Sequence, residues 1–180
     1  MKRWLYFLFA AAIFAVLHEG MHALMASLFG EYESFHIRPF GLEVTFVTPV
    51  EDRHGIEWAF ISGVSNLLTL LLGYLLLILA GRLSRLHSEF LVASFFYLTL
   101  LLLLLDPLNL SIGPFIYGGD ANGIAFGLGV SRYLIQAFFF MVLLVNRELV
   151  AQKLLPAYGV KTDNFILKSW IPQRNLEQLN

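Results

Sequence analysis

The sequence predicts an all-α polytopic membrane protein of about four transmembrane helices, with a short β-hairpin after the first. Three observations carry that prediction. Of 180 residues, 58% are hydrophobic and only 14% charged, against roughly 45–50% apolar and about 25% charged in soluble domains. The Leu, Phe and Ala excess is gathered into long runs, which is how membrane spans read. Between the first two runs, apolar and polar residues alternate as a strand requires.

The first run, residues 4–30, is ~40 Å long as a helix at ~1.5 Å per residue, enough to cross a bilayer with tilt. Its start resembles a signal peptide, but no clean A-x-A site ends the stretch, so it is read as a retained span. A hairpin is expected at about 35–48. There Leu42, Val44 and Phe46 alternate with Glu43 and Thr45, beside the turn-forming Pro39-Phe40-Gly41. The second span is expected at about 56–80, before Gly81 and the basic loop RLSRLHS.

The third span, about 89–105, is expected to break at Asp106-Pro107. The segment DPLNLSIGPFIYGG, residues 106–119, is too rich in Pro and Gly for regular helix. The fourth, about 120–146, is interrupted by FGLGVS. It is either one kinked span or a short helix followed by a separate span from Ser131. Residues 1–146 thus form one membrane core, and 147–180 a polar, peripheral tail.

Lys2, Arg3, Arg82, Arg85, Arg147, Lys153, Lys161, Lys168 and Arg174 flank the spans on one side, against Arg38 and Arg53 on the other. This asymmetry predicts a multi-pass protein with both termini in the cytoplasm. A net charge of −1 without a basic cluster gives no reason to expect nucleic acid. The absence of cysteine excludes disulfides and thiolate chemistry, so any metal here needs His and carboxylate ligands.

Within the first span lies His18-Glu19-Gly20-Met21-His22, an HExxH sequence. On a helix, residues i and i+4 share a face, so both imidazoles can reach one tetrahedral Zn²⁺. Glu19 then stands where it can take a proton from water at the metal. Charged groups inside a span cost ~2.5–3.5 kcal/mol each on insertion scales, so they are rarely idle. A catalytic zinc needs a third protein ligand from elsewhere.

With HEGMH, the turn-containing strand PFGLEV, the small-residue segment SGVSN (residues 62–66) and the order Asn109, Pro114, Gly118-Gly119-Asp120, the chain resembles the site-2 protease family of intramembrane zinc metalloproteases. The likeness covers about residues 5–130. It departs from the family pattern at Val64, where a proline is expected, in the longer Asn-to-Asp spacing, and at Ala121 after the aspartate. The resemblance implies a zinc endopeptidase cleaving transmembrane protein substrates in the lipid bilayer. It implies His18 and His22 as ligands, Glu19 as catalytic base, and Asn66 and Asn109 as groups that hold the substrate strand or the oxyanion.

The third ligand has two candidates. Asp120 opens a helix after an irregular loop and matches the family's aspartate by order. Asp106 ends a leucine run before Pro107, where a turn-initiating aspartate is also expected. Asn66 has a second reading, as an interhelical hydrogen bond. The hairpin offers a strand edge to an unwound substrate.

The competing readings are a proteolytically inactive zinc-binding scaffold of the same fold, a metal transporter and a prenyl-processing metalloprotease. Intact Glu19 argues against the first, and confinement of the membrane-phase histidines to one motif against the second. The third would take a glutamate ligand from a downstream helix, and Glu57 and Glu89 both lie at span edges. Substrate choice must come from the membrane core, the hairpin or an accessory membrane regulator. The charge pattern and the family arrangement disagree on which side the site faces.

Overall fold

The computed structural model describes residues 2–38, 41–116 and 119–171. Five main helices carry it: α1 (Lys2–Phe29), α2 (Glu57–Leu83), α3 (Glu89–Ser111), α4 (Gly119–Leu128) and α5 (Arg132–Leu149). A two-stranded antiparallel sheet, β1 (Tyr32–Arg38) and β2 (Gly41–Phe46), follows α1. Among the described residues, four helical stretches are long and apolar enough to cross a membrane: Lys2–Phe29, Glu57–Leu83, Glu89–Phe115 and Arg132–Ala157. Pro39 and Phe40 of the expected turn, Gly118 and residues 172–180 lie outside the described residues.

Helix α1 ends in a paired hydrogen-bond closure, Glu31 N–H to Ala26 C=O at 2.8 Å and Gly30 N–H to Ser27 C=O at 3.3 Å, which satisfies carbonyls that a helix end leaves open. Glu31 then closes the base of the hairpin. Its backbone carbonyl accepts from Val47 N–H at 2.9 Å, and its carboxylate accepts from Thr48 N–H and Oγ1, each at 3.0 Å. The hairpin starts earlier than expected, with Tyr32 opposite Phe46 and Arg38 opposite Gly41. Arg53 seals this end by lying over Phe46 and Trp58.

Helix α3 corrects the expectation of a break at Asp106-Pro107. It continues through Pro107 to Ser111. A proline inside a helix has no N–H for the carbonyl four residues before it, which here is Leu103. In an apolar bundle that orphan needs a partner within the protein. Asn146 Nδ2 of α5 donates to Leu103 C=O at 2.7 Å, and Asn146 Oδ1 accepts from Tyr74 Oη of α2 at 2.6 Å. The missing bond is supplied from two helices away.

The region expected at 120–146 is a short helix followed by a separate span. Gly129 takes φ +64°, a conformation that side-chain-bearing residues rarely adopt. Val130 N–H then closes α4 on Ala125 C=O at 3.1 Å. Ser131 caps α5 by accepting from Tyr133 N–H at 3.3 Å, and Arg132, half-buried, lies over the Tyr133 ring at this new start.

Helix α5 also outruns its expected end at residue 146. It continues through a π turn, Val150–Leu154, to Ala157. The following chain folds back against it. Arg147 donates Nε to Ile166 C=O at 2.6 Å, and its guanidinium reaches the Phe165 and Lys168 carbonyls and stacks on Trp170. Glu148 accepts from Ser169 Oγ at 2.5 Å and from Trp170 and Ile171 N–H at 3.2 Å. Residues 164–171 are therefore docked against α5.

Helices α1 and α3 run parallel. The Tyr6 and Phe90 rings meet near their starts at 5.5 Å, and His18 meets Asp106 further along at 3.1 Å. The hairpin, the start of α2, the end of α3 and all of α4 consequently gather at one end of the bundle.

The hydrogen bond from Asn146 to Leu103 C=O can be tested with a double mutant. Asn146→Ala should cost about 1–3 kcal/mol in detergent unfolding, the scale of an orphaned buried acceptor. Pro107→Ala restores an N–H to Leu103 C=O, so the same substitution should cost less in that background. Equal costs in both backgrounds would show that Asn146 does not serve the proline gap.

Candidate metal centre

Helix α1 sets His18 and His22 one turn apart, both buried, with their Nε2 atoms 3.2 Å from each other. Asp120, in the first turn of α4, faces both. One carboxylate oxygen lies 3.4 Å from His18 Nε2 and the other 3.3 Å from His22 Nε2. A tetrahedral ion with bonds of ~2.0–2.1 Å spaces its ligand atoms ~3.3–3.4 Å apart. The Nε2–Nε2 separation is close to that spacing, and the Asp120 carboxylate spans the two nitrogens with one oxygen at each. Among the described residues, His18, His22 and Asp120 form a group able to hold a metal ion, with one ligand atom from each within 4.8 Å of the others.

Neighbouring groups fix which nitrogens face inward. The Ile61 carbonyl lies 2.7 Å from His22 Nδ1 and can only accept, so Nδ1 carries the proton and Nε2 keeps its lone pair for the site. His18 Nδ1 lies 3.1 Å from Asp106 Oδ1, on the side of the ring away from Asp120, and the ring stacks on Phe14. Asp106 is thus behind His18, while Asp120 is between the two inward nitrogens.

Asn66 lies at the site as the sequence suggests, but its amide is already engaged. Nδ2 donates to Asp120 Oδ2 at 3.0 Å and to Ser62 C=O at 2.8 Å. Asn109 lines an adjoining groove of about 710 Å³ with His18, Glu19 and Asp106. The groove lies between α1, α3 and the hairpin, whose Ile37, Arg38, Gly41 and Leu42 form one wall. Glu19 borders this space together with the hairpin residues Gly41 and Leu42.

What brings Asp120 to the histidines is the contact of α4 with α2. A Cβ on Gly123 would fall 1.9 Å from Ser62 Oγ, and one on Gly127 would fall 2.2 Å from Ala59 N. The two glycines are four residues apart on one helix face, the small-residue spacing that lets membrane helices meet at backbone distance.

Sequence reading missed Ser65, Thr69 and the Ile61 carbonyl. Ser65 Oγ lies 3.0 Å from His22 Nε2, and Thr69 Oγ1 donates to Asp106 Oδ2. A signal was present: Ser62, Ser65, Asn66 and Thr69 recur at helical spacing and form one polar stripe in an apolar span. The Ile61 carbonyl left no such signal, because any residue supplies one.

No family model matches the chain, and it matches neither a curated protein nor a solved structure. The functional reading therefore stands on the residues and their geometry.

The α2–α4 contact yields a prediction. Gly127→Leu should separate α4 from α2 and reduce zinc affinity about tenfold or more, the scale of disturbing a ligand's support. Gly81→Ala, at a position with open space around it, should bind as the wild type does. Equilibrium dialysis of the detergent-purified proteins against Zn²⁺ makes the comparison.

Proposed function

We propose that the protein is an intramembrane zinc metalloprotease, similar to the site-2 protease family, that hydrolyses peptide bonds within or near transmembrane segments of membrane proteins. The observation that carries this reading is the convergence of His18, His22 and Asp120 into a group able to hold one metal ion, with Glu19 beside them at an open groove. Two imidazoles and one carboxylate are a usual donor set for a catalytic zinc, which leaves a position free. A bound zinc would supply Lewis-acid polarisation of a peptide carbonyl and acidify water towards a pKa of ~7.

The chain's own part is proton handling and positioning. Glu19 takes one proton from the attacking water as the water oxygen bonds to the carbonyl carbon. When the C–N bond breaks, the same carboxylate delivers that proton to the leaving nitrogen. Asn66 holds Asp120 in place, and the Ile61 carbonyl holds His22.

A transmembrane helix hides its carbonyls in internal hydrogen bonds, so a substrate must unwind before attack. The groove suits both halves of that task. Ala11, Ala12, Ala15, Leu101 and Leu105 make its apolar length, and the hairpin walls the end at Glu19. The two-stranded sheet leaves strand edges that can pair with an extended peptide. The Lys and Arg distribution supports both termini on the cytoplasmic side.

The test is cleavage of a reporter transmembrane helix in proteoliposomes, with zinc content measured on the same preparations. Glu19→Gln should retain zinc and lose about 10²-fold or more in rate, the usual contribution of a general base. Asp120→Ala should lose both zinc and cleavage. If wild type and Glu19→Gln cleave equally, the protease reading is wrong. Zinc without cleavage in either protein would favour the inactive scaffold.

A further inference from the structure

A second aspartate, Asp106, is buried in the same bundle and has no part in the chemistry above. It is 1% exposed, at a depth where an unpaired carboxylate is costly. One oxygen, Oδ1, lies 3.1 Å from His18 Nδ1. The other, Oδ2, accepts from Thr69 Oγ1. Thr69 is fully buried, and its hydroxyl also lies 2.9 Å from the Ser65 and Asn66 carbonyls. A hydroxyl has one proton, and a carboxylate is a stronger acceptor than a peptide carbonyl. The proton therefore goes to Asp106.

The geometry points to Asp106 and Thr69 as a positioning pair for His18, with Asp106 as an outer carboxylate and not a metal ligand. This rests on the metal-centre reading and adds to it the residues that aim the first histidine. An imidazole can turn about its Cβ–Cγ bond and can carry its proton on either nitrogen. Asp106 Oδ1, 3.1 Å from Nδ1 but not aligned as a full hydrogen bond, favours electrostatically the N–H on that nitrogen and Nε2 towards Asp120 and His22. Thr69 fixes the carboxylate in turn. It sits one turn along α2 from Ser65 and Asn66, which touch His22 and Asp120 respectively. One polar stripe on α2 thus steadies His22 and Asp120 directly, and His18 through Asp106.

Asp106 also stands immediately before Pro107, where α3 loses an internal hydrogen bond and regains it from Asn146. The helix is therefore continuous at the aspartate. A broken helix would leave the carboxylate on a mobile end, unable to hold an imidazole in one orientation.

The test uses full-length protein in detergent, titrated with Zn²⁺ against a competing chelator and separately with Co²⁺, whose visible spectrum reports the ligand set. Asp106→Asn keeps an oxygen that can accept from His18 Nδ1–H. It should show the wild-type Co²⁺ spectrum, with zinc affinity closer to wild type than that of Asp106→Ala. Asp106→Ala removes the acceptor and should weaken zinc binding about 10–100-fold, the range for outer partners of metal-bound histidines. Thr69→Val, nearly isosteric, should weaken binding several-fold with the Co²⁺ spectrum unchanged. Asp120→Asn should alter the Co²⁺ spectrum.

A changed Co²⁺ spectrum in Asp106→Asn would make Asp106 a ligand and overturn the proposal. So would wild-type zinc affinity in Asp106→Ala. Should Asp106→Ala fail to fold, Asp106→Asn and Thr69→Val decide the matter by the same criteria, with wild-type zinc affinity in Thr69→Val counting against the pair. A wild-type protein that takes up neither metal would instead overturn the metal-centre reading, and this proposal with it.

Discussion

Asp120 reaches the histidines because nothing intervenes between α4 and α2 at Gly123 and Gly127. The rest of the candidate site depends on that close approach. Were α4 held off by even one methyl group, Asn66 could not reach Asp120, and the carboxylate could not lie against both Nε2 atoms. Apolar packing alone does not select this arrangement in a membrane, since lipid is as apolar as leucine. Close backbone approach and internal hydrogen bonds therefore carry more of the specification than they would in water.

The polar groups obey the same constraint in a second way. Inside an apolar bundle each must find its partner within the protein. Here the partners join into a seam that crosses from helix to helix. It runs from Ile61 through His22, Asp120 and His18 to Asp106 and Thr69. A separate branch supports α3, where Tyr74 and Asn146 meet the carbonyl that Pro107 leaves open. Function and folding share this seam. The residues that hold the candidate site in geometry are also those that partner its two aspartates inside the bundle.

Much of this was legible in the sequence, for physical reasons that differ by element. The four apolar stretches could be read because span length is set by bilayer thickness. HEGMH could be read because its spacing is local to one helix. The fate of α3 could not, because the group that rescues it, Asn146, is 43 residues from Leu103, and nothing local announces a distant donor. The sequence around the split between α4 and α5 is ambiguous, since Gly129 and Ser131 are compatible with either a kink or a stop. The choice between Asp106 and Asp120 was likewise non-local. Both are aspartates near the ends of apolar runs, and only the assembled bundle shows one between the imidazoles and the other behind His18.

The position of the site along α1 bears on the reaction proposed. HEGMH lies towards the hairpin end of the helix, so the groove has an apolar length on one side of Glu19 and hydrogen-bonding backbone on the other. A helical substrate resting along Ala11, Ala12 and Ala15 can remain helical there, because that surface offers nothing to replace its internal hydrogen bonds. At the hairpin the balance changes, since strand edges can take up amides and carbonyls released by unwinding. Unwinding is therefore least costly next to Glu19 and costly further along α1. On the proposed reading, the place of cleavage is set by where the backbone can be unwound and hydrogen-bonded again as much as by the metal ligands.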